Sequence, residues 1–392
     1  MIKLNSQGVR DGGQNLRCNH NYKHSLYMEI EDITQKDATE LPASETIEHP
    51  LPDSAEGVKA LEKESGEGDD GIVIQKPCEE QVIEEPPTEE PRNFVLDCET
   101  SPRVFLKTFN VDNSAYVLGA SLRGRSHEMH ETQCQDYHAF ESIGNGWYIL
   151  SVSDGAGSAK CAERGSKANS TFAVKLVKEL LEQKQWVERN YFPSELEWYI
   201  ESRSIFERIK LIIRTKVSEL EGDYVETDFN ATLLMAIVTP QGVLCAHVGD
   251  GRMGLLTQEN EWIATMTPHK GEEANQTLFL QSGWTYPRVP AFNVGGVYVP
   301  ESRVFAELPK AIVLMTDGCE RASWECSIMD PELGKYVDRN RPYHGFMNPL
   351  LDALNETTDN EKLQLFIDII DRGTSACERE IDDKTMLLMV QK

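Results

Sequence analysis

Four aspartates stand where they could share one cation site: Asp136, Asp154, Asp317 and Asp382. Two of them follow the same figure. Residues 147–153 are a short apolar run that stops at Asp154-Gly155, and residues 311–316 are another that stops at Asp317-Gly318, 163 positions further on. Runs of this length, rich in β-branched and aromatic residues and closed by Gly, read as buried strands that deliver a carboxylate to the next loop. Cys134-Gln135-Asp136 closes a loop rich in His, Glu and Arg, and Asp382-Asp383-Lys384 opens a last apolar run. Carboxylates gathered at one site repel each other and are costly unless a cation lies between them. Hard oxygen donors with open positions suit Mg²⁺ or Mn²⁺. Two such ions about 3.5–4 Å apart can hold a water, lower its pKa and place it for in-line attack on phosphorus. One Asp-Gly pair is an ordinary turn; two such pairs with a terminal Asp-Asp-x-Thr make a constellation.

A common edge for these aspartates has to be built by strands. Residues 116–122, 147–153, 231–238, 242–249, 252–256, 311–316 and 385–390 read as strands, with a short pair over residues 297–308. Thr239-Pro240-Gln241 and Asp250-Gly251 read as hairpin-type connections, which predicts an antiparallel meander. From Glu163 the pattern turns helical, with Phe172, Leu176, Val177, Leu180 and Leu181 on one face. Ser194 is the expected N-cap of a second long helix, buried along Ile205, Phe206, Ile209, Ile212, Ile213, Val217 and Leu220. Residues 320–360 read as irregular, and Leu363, Phe366, Ile367 and Ile370 mark a last amphipathic helix. Strands, two helices, strands, a helix and a strand do not alternate as βαβ units do. The class expected is α+β, antiparallel sheets covered by helices.

The rest of the chain narrows the function. Net charge is −26 over 392 residues, which argues against non-specific binding to nucleic acid or to an anionic membrane surface. Residues 28–92 are dominated by Glu, Asp and Pro and lack aromatics. Residues 1–92 are therefore expected to form a disordered acidic arm, and residues 93–392 a folded domain. Nine cysteines without a Cys-x-x-Cys pair point to free thiols in a reducing compartment. Cys18, His20 and His24 fit no standard zinc spacing. No signal-peptide core and no apolar run near ~20 residues is present, so a soluble, cytoplasmic protein is expected.

Taken in order, these pieces resemble the metal-dependent protein phosphatases of type 2C, and most of all their bacterial branch. Cys134-Gln135-Asp136 resembles the first acidic motif, and residues 152–158 the central Asp-Gly motif, followed by Glu163 and Gly165. Asn230-Ala231-Thr232 stands where the family has Gly-x-Thr, and residues 246–252 resemble its Asn-x-Gly-Asp-Ser-Arg strand. Residues 314–318 and 382–385 resemble the last two metal motifs, and residues 268–277 a polar run of the bacterial branch. The resemblance covers about residues 113–392. It implies a four-layer sandwich, two antiparallel β-sheets flanked by helices, with two Mg²⁺ or Mn²⁺ ions at one end. It implies hydrolysis of phosphoserine and phosphothreonine in proteins by a water activated between the ions. Asp136, Asp154 and Asp317 then carry catalysis. Asp154 bridges the ions, Gly155 offers its carbonyl, Asp317 and Asp382 complete one ion, and Asp136 acts through ordered water. Asp383 replaces the family's Asn and is an alternative ligand to Asp382; Asp250 belongs either to a structural turn or to a third metal. The implied partners are a phosphoprotein substrate and a cognate serine/threonine kinase, with no nucleic acid and no membrane.

Two positions depart from the family. Glu131 stands where many relatives place a phosphate-gripping Arg, which leaves Arg123, Arg125 and His127 as candidates for phosphate binding. Ala156 stands where eukaryotic relatives place a His, which leaves His127 and His130 as candidate proton donors. These departures keep open a non-catalytic relative that binds a partner and a phosphatase for a small phosphorylated molecule. The arm carries its own prediction: a chain that begins at Arg92 should melt within a few degrees of the full chain, because residues 1–92 lack periodic apolar stripes. A large fall in melting temperature would show that the arm packs on the domain.

Overall fold

Residues 103–270, 276–282 and 299–392 are described by the computed structural model of the chain. The arm expected over residues 1–92 lies outside them. In chain order the strands are β1 (Val104–Val111), β2 (Ala115–Leu122), β3 (Asp136–Gly144), β4 (Trp147–Asp154), β5 (Leu233–Thr239), β6 (Gly242–Val248), β7 (Arg252–Leu256), β8 (Trp262–Ala264), β9 (Glu301–Phe305), β10 (Ala311–Met315), β11 (Ile328–Asp330), β12 (Lys335–Val337) and β13 (Lys384–Gln391). The helices are α1 (Arg125–Met129), α2 (Ala162–Lys184), α3 (Trp186–Arg189), α4 (Glu195–Ser218), α5 (Glu320–Ser323), α6 (His344–Glu356), α7 (Asp359–Arg372) and α8 (Ser375–Arg379). One sheet runs β1-β2-β13-β10-β7-β8, a second runs β3-β4-β5-β6-β9, and β11 pairs with β12 as a separate hairpin. The pairings within both large sheets are antiparallel.

Side-chain alternation along each strand makes the layers. In β4, Tyr148, Leu150 and Val152 meet Val117, Leu255, Leu314 and Leu387 of the other sheet. Trp147 and Ile149 point the opposite way and pack with Leu176, Val177, Phe206 and Ile209 of α2 and α4. The other sheet repeats the arrangement. Ile312 and Leu314 of β10 face the inter-sheet core, while Val313 and Met315 pack with Phe346, Leu350, Phe366 and Ile370 of α6 and α7. Helices, sheet, sheet and helices give the expected four-layer α+β sandwich. Strands covered on both faces are apolar at most positions, which is why β4, β5 and β10 read as near-continuous runs. Ser194 caps α4 as expected, its hydroxyl accepting from the Glu197 N–H at 3.2 Å. Among the described residues no helix is long and apolar enough to cross a membrane.

Three expectations need correction. β6 and β7 do not form a hairpin: β6 lies in the five-stranded sheet and β7 in the six-stranded one. The chain crosses between the sheets at Gly249-Asp250-Gly251, and Gly249 has φ +125, a conformation that L side chains rarely adopt. Within residues 299–308 a single strand, β9, replaces the expected pair; residues 297 and 298 lie outside the described ones. Residues 320–360 hold α5, the β11–β12 hairpin and α6, where the sequence suggested irregular chain. Pro349 sits inside α6 and reads as a helix breaker.

Gly318 shows how closely the motif strands approach at the sandwich end. A Cβ on this residue would run into the backbone carbonyl of Asp383. Gly318→Ala should therefore destabilise the chain by about 1–3 kcal/mol, as overpacking does. Gly157→Ala, whose new Cβ would meet only the Gln135 Oε1 at 3.9 Å, should stay within about 0.5 kcal/mol. Urea midpoints of both variants check this, and equal midpoints would refute the close approach.

Candidate metal centre

β3 begins and β4 ends on an aspartate, and register makes the two direct cross-strand partners: Asp136 faces Asp154. The Asp154 backbone is clamped on both sides by Thr232. The Asp154 N–H donates to the Thr232 hydroxyl at 2.9 Å, and the Thr232 N–H donates to the Asp154 carbonyl at 2.7 Å. Gly155 follows in a gap that only glycine fits, since a Cβ would lie 2.6 Å from the Ala162 carbonyl oxygen and 2.7 Å from that of Gln135. Asp317 leaves the end of β10, one sheet away. Thr316, just before it, joins three motifs. Its hydroxyl donates to Asp136 Oδ2 at 2.7 Å and accepts from the Thr385 N–H at 3.0 Å. Both threonines stand inside motifs legible in the sequence, yet their role as clamps depends on pairing across sheets and has no local signal.

Burial and mutual repulsion dominate the electrostatics. Burial pushes the Asp154 carboxyl well above the usual range, and Asp136, Asp317, Asp382 and Asp250 add to the rise. Asp136, 2 % exposed, is raised well above the usual range by burial and then by Asp383, while the Thr316 hydroxyl opposes the shift. Asp317 is raised to about 7 by burial, then by Asp250, Asp382 and Glu320, with a hydrogen bond to Asp154 working the other way. Asp250, at the crossing between sheets, is also raised by burial, and Lys270 opposes that rise. Asp382 is exposed, and its Oδ1 accepts from the Asp383 N–H at 2.8 Å. No three of these aspartates bring ligand oxygens within 4.8 Å of one another among the described residues.

Asp383 is buried and faces the loop that leads to Asp136. Its Oδ1 accepts from the Gly124 N–H at 2.6 Å and its Oδ2 from the Gln135 N–H at 2.5 Å. His127 Nδ1 lies 2.8 Å from the same Oδ1. Arg123 donates from Nη2 to the His127 carbonyl at 2.8 Å, within its own loop. Arg125 is exposed at the start of α1. His130 is exposed too, and its Nδ1 lies 2.8 Å from the Ser126 carbonyl oxygen. Glu131 sits at φ 55 in the turn after α1, and Ala156 is buried beyond Gly155.

The donor set fits divalent cations of the hard class. Aspartate oxygens and the carbonyl of Gly155 are the ligands that Mg²⁺ and Mn²⁺ take, and the carboxyls raised by burial gain most from a positive charge.

The family model described as "Protein phosphatase 2C" matches residues 123–368, more than half of the chain. "Serine/threonine-protein phosphatase 3" of Escherichia coli (strain K12) is 27% identical over 165 residues, which span 41% of this chain and 55% of that relative. The chain thus matches little more than half the length of the curated relative. Among solved structures, the serine-threonine phosphatase 2C from Toxoplasma gondii matches with a TM-score of 0.46 and 13% identity, covering 73% of this chain and 99% of that one. The catalytic domain of the serine threonine protein phosphatase PstP, in complex with 2 manganese ions, matches with a TM-score of 0.40 and 14% identity, over 71% and 98%.

The raised carboxyls set a pH dependence for the chain stripped of divalent ions. Asp317 keeps its proton to about 7 when folded, against 3.8 as the ordinary value. The folded state therefore binds more protons than the unfolded one between those values, and stability must fall as pH rises through that window. Asp136 and Asp154 act in the same direction. In a chelator, the urea midpoint should decline from about pH 4 to about pH 7, and Mg²⁺ or Mn²⁺ should restore it. A midpoint that climbs over this window, or that ignores both ions, would refute the carboxylate cluster.

Proposed function

The chain belongs to the protein phosphatase 2C family, and on that footing we propose that it hydrolyses phosphoserine and phosphothreonine in proteins with Mg²⁺ or Mn²⁺ as cofactor. The observation that carries this reading is that Asp136, Asp154 and Asp317, from two sheets, lie at one end of the sandwich near enough for the charges of Asp136 and Asp317 to bear on Asp154. Asp154, the Gly155 carbonyl, Asp317 and Asp382 would hold the ions, with Asp136 behind them. Bound there, divalent ions lower the pKa of a water and offset charge on the phosphoryl oxygens.

The chain's own residues do the positioning. Thr232 and Thr316 fix where Asp154, Asp136 and Asp317 stand. Asp382 is the better ligand of its pair, because it adds to the charge felt by both Asp154 and Asp317. Asp383 holds the loop over residues 124–135 instead. A phosphate dianion calls for charge-assisted donors beside the ions. Arg125 is the exposed guanidinium of that loop, whereas Arg123 is engaged with the His127 carbonyl. A phosphoprotein substrate follows from this reading, and a kinase acting on the same sites would be its counterpart.

Asp154→Asn is the direct test. Substituting groups that only support metal ligands already changes affinity or activity by about 10–100-fold. Turnover of a phosphoserine or phosphothreonine peptide in Mn²⁺ should then fall by more than about 100-fold. The melting temperature in chelator should hold or rise slightly, since a repelling charge is gone. Wild-type-like turnover would refute the assignment. A wild-type chain that cleaves neither phosphopeptides nor p-nitrophenyl phosphate in Mn²⁺ would point to a non-catalytic relative.

A further inference from the structure

Beside the crossing that carries Asp250, the chain buries a second group of potential ligands with a different chemistry. Register places His247 of β6 directly opposite Glu301 of β9. His269 comes from the segment after β8 and is tied twice to Gly249. Its N–H donates to the Gly249 carbonyl at 2.8 Å, and its Nδ1 accepts from the Gly249 N–H at 3.1 Å. The two imidazoles stack with centroids 4.3 Å apart and planes 21° from parallel. His247 and His269 are 0% exposed and Glu301 is 3% exposed. One ligand atom from each of the three lies within 4.8 Å of the other two.

Unmet polar atoms separate this trio from an ordinary buried cluster. Both ring nitrogens of His247 and the Nε2 of His269 are buried without a well-aligned hydrogen bond, the backbone of Thr267 and Gly249 lying close to His247 but off the line of a full bond. Three such atoms side by side are rare in a folded chain and call for a ligand. Burial drives both imidazoles to the neutral form, which leaves a lone pair available on each. Glu301 is already oriented from outside: Oε2 accepts from the Thr267 N–H at 2.9 Å, and Oε1 accepts from Arg303 Nε and Nη2 at 3.1 and 3.0 Å. Support of this kind is what metal-ligating carboxylates have.

We propose that His247, His269 and Glu301 form a buried structural site for a zinc-class cation, separate from the aspartate centre. Two imidazole nitrogens and one carboxylate oxygen, with a water in the fourth position, match Zn²⁺, a borderline-soft ion, and differ from the all-oxygen set that suits Mg²⁺ or Mn²⁺. Two adjustments are needed. The lone pairs lie in the ring planes and the rings stack nearly face to face, so one ring must turn before a nitrogen of each meets the same ion. With Nδ1 accepting from Gly249, neutral His269 carries its proton on Nε2, so ligation through Nε2 moves that proton to Nδ1 and breaks this hydrogen bond. One neutral hydrogen bond is small beside the free energy with which such ligands hold zinc. The ion would fasten the Gly249–Gly251 crossing to His269 and Glu301, and so brace the turn that carries Asp250.

The test measures metal content of the full chain after gel filtration in excess Mg²⁺, which keeps the aspartates supplied. Expected are about one equivalent of zinc in wild type and in Asp154→Asn, and less than a tenth of an equivalent in His247→Asn and Glu301→Gln. Loaded with Co²⁺ instead, wild type and Asp154→Asn should show the intense visible bands of a tetrahedral site, and His247→Asn should lose them. The proposal is overturned if wild type holds no zinc and shows no tetrahedral bands. It is equally overturned if zinc leaves with Asp154→Asn but stays in His247→Asn. Should His247→Asn fail to fold, the Co²⁺ spectra of wild type and Asp154→Asn alone still decide.

Discussion

Repulsion between buried carboxylates is the constraint around which this sandwich is arranged. Asp136 faces Asp154 across a strand pair, and the charges of Asp317, Asp382 and Asp250 bear on Asp154 from nearby. Two unit charges about 4 Å apart interact by about 4 kcal/mol at an effective dielectric near 20. A domain's whole stability is only about 5–15 kcal/mol. The site therefore needs protons or cations to persist, and it needs clamps that do not yield. The clamps are hydroxyls and backbone groups: Thr316 between Asp136 and Thr385, Thr232 on the Asp154 backbone, and Ser153, whose hydroxyl donates to the Thr232 carbonyl. All are neutral, so they hold the acids without cancelling the charge that a cation would meet.

The parts of this arrangement that could be read in the sequence are those whose signal is local. A strand covered on both faces is apolar at most positions, so β4 and β10 announced themselves, and the Asp-Gly that ends each was visible with them. Edge strand β1 was missed because its sequence, VFLKTFNV, does not alternate apolar with polar residues, and its exposed positions carry Phe105 and Phe109. α6 was missed because Pro349 lies within it. The crossing at Gly249-Asp250-Gly251 was read as a hairpin for a related reason: a turn signal says that the chain bends, not which sheet it enters. The acids could be listed from sequence, but the choice between Asp382 and Asp383 could not. That choice depends on Asp383 meeting Gly124 and Gln135, more than two hundred positions away.

Asp383 also gives a physical reading of a departure from the family pattern. Its two oxygens each accept a backbone N–H, one from Gly124 where the loop begins and one from Gln135 where it ends. An asparagine at the same place would offer one oxygen and turn an NH₂ towards the other donor. The carboxylate thus suits a loop pinned at both ends, and His127 lies against it as well. The same loop holds Glu131 where the resemblance leads one to expect an arginine. Changes at residue 383 would then act through the loop that delivers Asp136, not only through any ion.

An end of the sandwich that collects charge cannot be sealed with apolar side chains, and elements around it are fastened by other means. Arg252, 1% exposed, is the clearest case. Its Nε and Nη2 donate to Glu320 Oε2 at 2.9 and 2.8 Å, its Nη2 to Asp338 Oδ2 at 2.5 Å, and its Nη1 to Asn340 Oδ1 at 2.9 Å. Lys270 adds a second cation on Glu320 at 3.0 Å. One guanidinium so joins the start of β7, the helix after Asp317-Gly318, and the chain that leaves β12. The hairpin itself offers little apolar attachment, since Met329 and Tyr336 are exposed. Removing one partner from a buried ion pair costs about 3–5 kcal/mol, because the other is left charged and unpaired. The hold on the hairpin is therefore electrostatic and steep, and it acts through Glu320, three residues from Asp317. What the sandwich gains elsewhere from packing it must gain here from paired charge, and that ties the shape of this edge to the charge placed on it.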